Sequence, residues 1–185
     1  MYPYLLAASL VANFADSLFG PLYAVYVQNI GGDILDVGST IALYSIATGL
    51  LIILVGKFAD RLSKELLTTI GFALGALGTL CYLVIDTPLE LYVLQILFAV
   101  STALLSAPLT ALFAKNIDEK KAGLLWALEG GGNKMLSGFG LLIGTFVTYR
   151  FGFATVFIII FLFQVCAAML QGRVYMLTFQ KKISD

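Results

Sequence analysis

Six long apolar runs follow one another along this chain: Tyr4–Gln28, Val37–Gly56, Leu66–Ile85, Leu91–Ala114, Ala122–Thr148 and Phe151–Gly172. A helix rises about 1.5 Å per residue, so some 20 apolar residues cross the roughly 30 Å hydrocarbon core of a bilayer. Short polar connections separate the runs: "NIGGDILD", "KFADRLSKE", "DTPLE", "KNIDEKK" and "YRFG". Only 12% of the 185 residues are charged and 60% are hydrophobic, with a mean hydropathy of +0.96. A soluble domain covers itself with about twice that share of charge. The expectation is an all-α integral membrane protein in a lipid bilayer. One transmembrane domain fills residues 1–185, with six helices and a short tail over 173–185.

Several function classes drop out on composition. The net charge is zero, so no basic footprint suggests a nucleic-acid partner. There is no histidine, which excludes His-based triads and His metal sites, and no metal or other cofactor is implied. An intramembrane protease is disfavoured, because the spans hold no catalytic pair of aspartates. Cys81 and Cys166 lie in apolar runs and are expected as packed thiols. The first run follows no basic n-region and no small-residue cleavage site, so it is expected to be a retained span.

Basic residues are distributed unevenly between the two sides. Lys57, Arg61 and Lys64 lie between runs two and three, Lys115, Lys120 and Lys121 between four and five, and Arg173, Lys181 and Lys182 after six. The other side has only Arg150. The positive-inside rule then puts both termini in the cytoplasm, in a plasma (inner) membrane. Tyrosines 2, 4, 23, 26, 82, 92, 149 and 175 fall near run ends, where amphipathic rings suit the membrane interface.

The first three runs can be laid over the last three. "GPLYAVYV" (Gly20–Val27) aligns with "APLTALFA" (Ala107–Ala114), and "VGKFADR" (Val55–Arg61) with "IGTFVTY" (Ile143–Tyr149), at nearly one offset. An odd number of spans per copy inserts the second copy upside down. Two inverted three-helix repeats, about 4–85 and 91–172, are therefore expected, an arrangement found in secondary transporters.

The loop after run two, "GKFADRLSKE", resembles the signature loop of the major facilitator superfamily: Gly, three residues, Asp, Arg, one residue, then Gly and basic residues. Gly56, Asp60 and Arg61 match and Lys64 keeps a basic position, while Ser63 stands where a second glycine is usual and Glu65 replaces a basic residue. "GFGLLIG" (Gly138–Gly144) is similar to the glycine-rich motif of proton-coupled drug exporters, but without its usual proline. The resemblance covers the chain as one six-span half of a fold that normally has two. It implies a secondary active transporter of a small molecule, working by alternating access, with a latch at Asp60 and Arg61 on the cytoplasmic side. Proton coupling is one possibility that it leaves open.

Polar residues within the runs are the candidate site. Each charge facing lipid costs about 2.5–3.5 kcal/mol on insertion scales, so such residues are expected to face the protein interior or water. Asn13 and Asp16 are three apart and share a face of run one; Glu129 and Asn133 are four apart and share a face of run five. Asp16 and Lys134 lie at similar depth and are expected to pair. Together Asp16, Asn13, Lys134, Glu129 and Asn133 are the expected substrate or proton cavity, against a structural ion pair as the alternative. The glycines of "EGGGNK", 130 to 132, are expected to admit a close neighbour, with a loosened, hinge-like helix as the alternative.

A six-span half lines only one side of a central cavity, so a second copy of the chain is the expected partner. Stripes of small residues offer the contact: Gly38, Ala42, Ser45, Gly49 and Gly56 on run two, and Gly132, Gly140 and Gly144 on run five. By the family resemblance, run two of one copy packs on run five of the other. The alternatives are a non-transporting assembly or sensor subunit, and a fragment of a twelve-span transporter.

Overall fold

A computed structural model describes residues 1–59 and 61–184, with side chains described to residue 180. Among these the regular structure is helical throughout: α1 (Tyr2–Ser17), α2 (Tyr23–Asn29), α3 (Ile34–Ala59), α4 (Lys64–Cys81), α5 (Pro88–Asn116), α6 (Ala122–Phe151) and α7 (Phe153–Ser184). Two 3₁₀ turns, Gly20–Leu22 and Glu119–Lys121, precede α2 and α6. Five helical stretches are long and apolar enough to cross a membrane: Tyr2–Asn29 taken through its break, α3, α4, α5 and α7 up to Gln180. The fifth run forms α6, which at 30 residues is long enough. Its glutamate, glycines, asparagine and lysine make it less apolar than the rest. The residues expected as a tail continue α7 to Ser184.

Local chemistry sets the helix ends. The Asp33 carboxylate accepts from the Leu35 and Asp36 amides at 2.7 and 3.0 Å, and Asp36 reaches back to the Asp33 amide at 3.0 Å, so a reciprocal cap starts α3. Ser63 Oγ accepts from the Leu66 amide at 3.3 Å and caps α4, which gives the serine in the signature loop a structural task. Gly152, at φ 82°, ends α6 in a left-handed conformation that suits glycine. Pro21 lies in the Gly20–Leu22 turn that separates α1 from α2. Its counterpart Pro108 lies inside an unbroken α5. The preceding residue differs, Gly20 against Ala107, and glycine adds freedom to a site where proline has already removed a donor.

α5 packs on α3 and α4, α4 packs on α7, and α1 packs on α7 and α6. Lipid is as apolar as leucine, so close packing and interhelical hydrogen bonds must hold these contacts together. Two glutamines fasten α7 to α4: Gln164 Oε1 accepts from Thr79 Oγ1 at 2.7 Å, and Gln171 Nε2 donates to Thr68 Oγ1 at 2.6 Å. All four side chains are buried. α3 and α6 flank the bundle, and only 6% of the apolar window of α3 is buried.

Two expectations about side chains need correction. Tyr23, Tyr26 and Tyr82 are buried in an aromatic cluster with Phe19 and Phe157, where Tyr82 stacks on Phe157 at 4.8 Å. Their hydroxyls find partners inside, as Tyr26 does on the Tyr82 carbonyl at 2.8 Å, so they have no need of the interface. Tyr149, 88% exposed, fits the interfacial reading. Both cysteines are free thiols, but Cys166 lies on an exposed face of α7 and is not packed.

Candidate functional site

A cavity of about 400 Å³ opens between the first span, α3, α4, α5 and α7. Rings form part of its walls, among them Phe19, Tyr23, Tyr44, Phe72, Tyr82 and Phe98, beside the amides of Gln95 and Gln164 and the hydroxyls of Thr79, Ser101 and Thr102. Among the described residues the lining holds one carboxylate, Asp16, and no lysine or arginine. The helix break positions this group. Asp16 lies in the last turn of α1, shortly before Pro21, and Gly20 in the turn also lines the cavity.

Asp16 is held from behind. Gln164 Nε2 donates to its Oδ1 at 2.8 Å, while the Gln164 carbonyl takes the Thr79 hydroxyl. This chain of bonds ties α1 to α7 and α4. A second chain borders the same cavity: Gln95 Nε2 donates to the Tyr23 hydroxyl at 3.0 Å, and Tyr23 donates to Thr40 Oγ1 at 2.7 Å, tying α5 to α2 and α3. Tyr44 and Thr102 hydroxyls meet at 3.0 Å nearby. Sequence reasoning missed Gln95 and Gln164. Each is a lone amide in an otherwise apolar run, and that signal was available.

The other candidate residues separate from Asp16. Asn13, Glu129 and Asn133 lie in the seam where α1 and α6 run parallel. Ser9 Oγ and Asn133 Nδ2 donate to Glu129 Oε1 at 3.2 and 2.7 Å, and Ser137 Oγ donates to Asn13 Oδ1 at 2.7 Å. Tyr2 closes one end of the seam, its hydroxyl on the Leu125 carbonyl at 2.7 Å. Lys134 is exposed on another side of α6, and among the described residues no ion pair joins it to Asp16, whose partner is Gln164. Depth alone suggested the pair. Lys134 follows Asn133, so it is turned about 100° from the seam.

The glycines expected at a dimer contact on α6 are used within the chain. A Cβ on Gly144 would strike the Leu18 backbone, one on Gly140 would strike Ser17, and one on Gly132 would lie 3.0 Å from Leu10. Gly130 and Gly131 have open space around them. On α3 the stripe is free: Gly38, Ala42, Ser45 and Gly49 are exposed, and Gly38, Gly49 and Gly56 have nothing within 4 Å of an added Cβ.

In the signature loop, Asp60 lies outside the described residues. Arg61 and Lys64 border a second cavity of about 450 Å³ with Glu65, Lys115 and Thr178. Glu65 is buried and accepts from Ser63 Oγ at 3.1 Å.

Comparison with known proteins agrees with the architecture. The family model described as Major Facilitator Superfamily matches residues 5–180. The chain is similar to the Multidrug resistance protein MdtG of Escherichia coli O1:K1 / APEC and to that of Escherichia coli strain K12 / DH10B. Each is 24% identical over 161 residues, which is 84% of this chain and 39% of the relative. The chain thus spans about two-fifths of the length of the curated relatives it matches. With a polytopic helical architecture and a family match over nearly its whole length, the chain is an integral multi-pass membrane protein and belongs to the major facilitator superfamily.

Proposed function

We propose that the chain is a six-span module of a secondary transporter, which binds an apolar organic cation in the Asp16 cavity and is driven by an ion gradient. The observation that carries this reading is the cavity itself: aromatic walls with a single carboxylate and no opposing cation among the described residues. Ring faces attract a cation and exclude strongly hydrated anions, and the carboxylate supplies the charge that selects it. The MdtG likeness is consistent with a drug-like substrate.

The module is six spans in two inverted repeats. What supports this is that packing partners exchange when each span is replaced by its counterpart. The contact of α3 with α5 corresponds to that of α6 with the first span, the contact of α4 with α5 to that of α7 with α1, and the α4–α7 contact maps on itself. Both termini are cytoplasmic by the positive-inside rule, in the plasma membrane. Alternating access follows from closing the cavity against another six-span unit, with a second copy of this chain as that unit. The exposed small-residue stripe of α3 supports such a contact, whereas the α6 glycines do not. The Arg61 loop, with Asp60, is the latch.

Uptake of tetraphenylphosphonium by proteoliposomes under an imposed pH or sodium gradient tests the reading. Gradient-driven accumulation that Asp16→Asn abolishes is expected. Accumulation unchanged by Asp16→Asn, in a variant that inserts normally, would remove Asp16 from the mechanism. Photobleaching steps in nanodiscs test the dimer: two steps are expected, and Gly49→Leu shifts them towards one.

A further inference from the structure

We propose that the α1–α6 seam holds a separate site for a monovalent cation, built on Glu129. It rests on the transporter reading above and places the coupling ion apart from the substrate.

Glu129 is half-buried in the seam, seven residues into α6. Both of its described hydrogen bonds, from Ser9 and Asn133, are neutral. A carboxylate at membrane depth needs a counter-charge. On α1, Tyr2 lies within electrostatic reach of Glu129, while Asp16 turns to Gln164. Lys134 on its own helix is exposed to another side. Among the described residues, α7 and the Glu119–Lys121 turn make no hydrogen bond or ion pair with Glu129. With no positive charge facing Glu129 among the described residues, we assign the counter-charge to a small cation that oxygen atoms can hold.

The seam supplies such oxygens. Asn133 Oδ1 is buried and has no hydrogen-bond partner, an unusual state for a carbonyl that can accept two bonds. Turning the Asn133 amide would bring that oxygen beside Glu129 and Ser9 Oγ, giving three oxygen donors on two adjoining helices. One carboxylate with neutral oxygens balances a single positive charge. Among the described residues no group of three acidic or metal-ligating side chains is present for a multivalent ion. A sodium ion fits this donor set. It would neutralise Glu129 and tighten α6 on α1, the helix that also carries Asp16, so ion occupancy would reach the substrate carboxylate along α1.

The test is thermal unfolding of the full chain in nanodiscs, followed by Trp126 fluorescence, in sodium or choline chloride at pH 8. Sodium should raise Tm saturably. Glu129→Gln keeps an acceptor for Ser9 and Asn133 and should abolish the sodium response. Asn133→Leu should weaken sodium binding at least about tenfold. Asp16→Asn should keep the wild-type sodium response and lose tetraphenylphosphonium binding, so failure of the substrate site and failure of the ion site give different results. The proposal is overturned if sodium does not shift wild-type Tm, or if Glu129→Gln responds as the wild type does.

Discussion

Asp16 and Glu129 are both carboxylates within the helical bundle, and both touch α1, yet their surroundings differ in kind. Asp16 faces a cavity walled by large rings and is steadied by a buried amide, Gln164, that is itself anchored on Thr79. Glu129 faces a seam of serines, asparagines and glycines in which the two backbones come close. Side-chain volume makes the difference. Rings stand between α1 and α5 around the cavity, while small residues let α6 close onto α1. One face of α1 therefore lines the cavity and another is a packing joint.

The largest effect that would break this contrast is expected at the joint. A Cβ at Gly144 meets the Leu18 backbone, so Gly144→Ala should cost about 1–3 kcal/mol by overpacking. The denaturant midpoint of Trp126 fluorescence should fall. An unchanged midpoint would mean that the seam is looser than described. Next comes the support of the cavity. Gln164→Leu removes the bonds to both Asp16 and Thr79 and should cost about 1–2 kcal/mol, with weaker tetraphenylphosphonium binding. Stability loss without a change in affinity would show that Gln164 does not position Asp16.

Single seam bonds should matter less. Ser137→Ala loses the bond to Asn13 and should cost about 0.6 kcal/mol, the average for such pairs in membranes. Smallest of all is Gly130→Ala. Nothing lies near an added Cβ there, so only helix propensity changes, with a gain between zero and about 1 kcal/mol. A loss at Gly130 comparable to that at Gly144 would show that the glycines act through helix flexibility and not through close approach.

Much of this contrast is written in the sequence, but not all of it. Apolar length located the six helical runs, and the i, i+4 spacing correctly put Glu129 and Asn133 on one face. Direction around the helix was harder. Asn13 and Asp16 are three apart, yet the first turns to α6 and the second to α7, because α1 is gripped by both neighbours. Lys134 was paired with Asp16 on depth, although one residue of rotation carries it out of the seam. The glycine stripe on α6 announced close packing, but the expected partner was run two of another copy, whereas Gly132, Gly140 and Gly144 meet the first span of the same chain. Gln95 and Gln164 were overlooked because a neutral amide lacks the alarm of a charge, although a lone amide in an apolar span is itself costly unless bonded.

The central claim is that Asp16 makes the aromatic cavity a cation site. Equilibrium binding of radiolabelled tetraphenylphosphonium to the purified chain in nanodiscs tests it directly, comparing wild type with Asp16→Asn. The account predicts saturable binding to the wild type that Asp16→Asn weakens at least about tenfold, while an uncharged analogue of similar size is unaffected by the substitution. Equal affinity of the two proteins for the cation would contradict it.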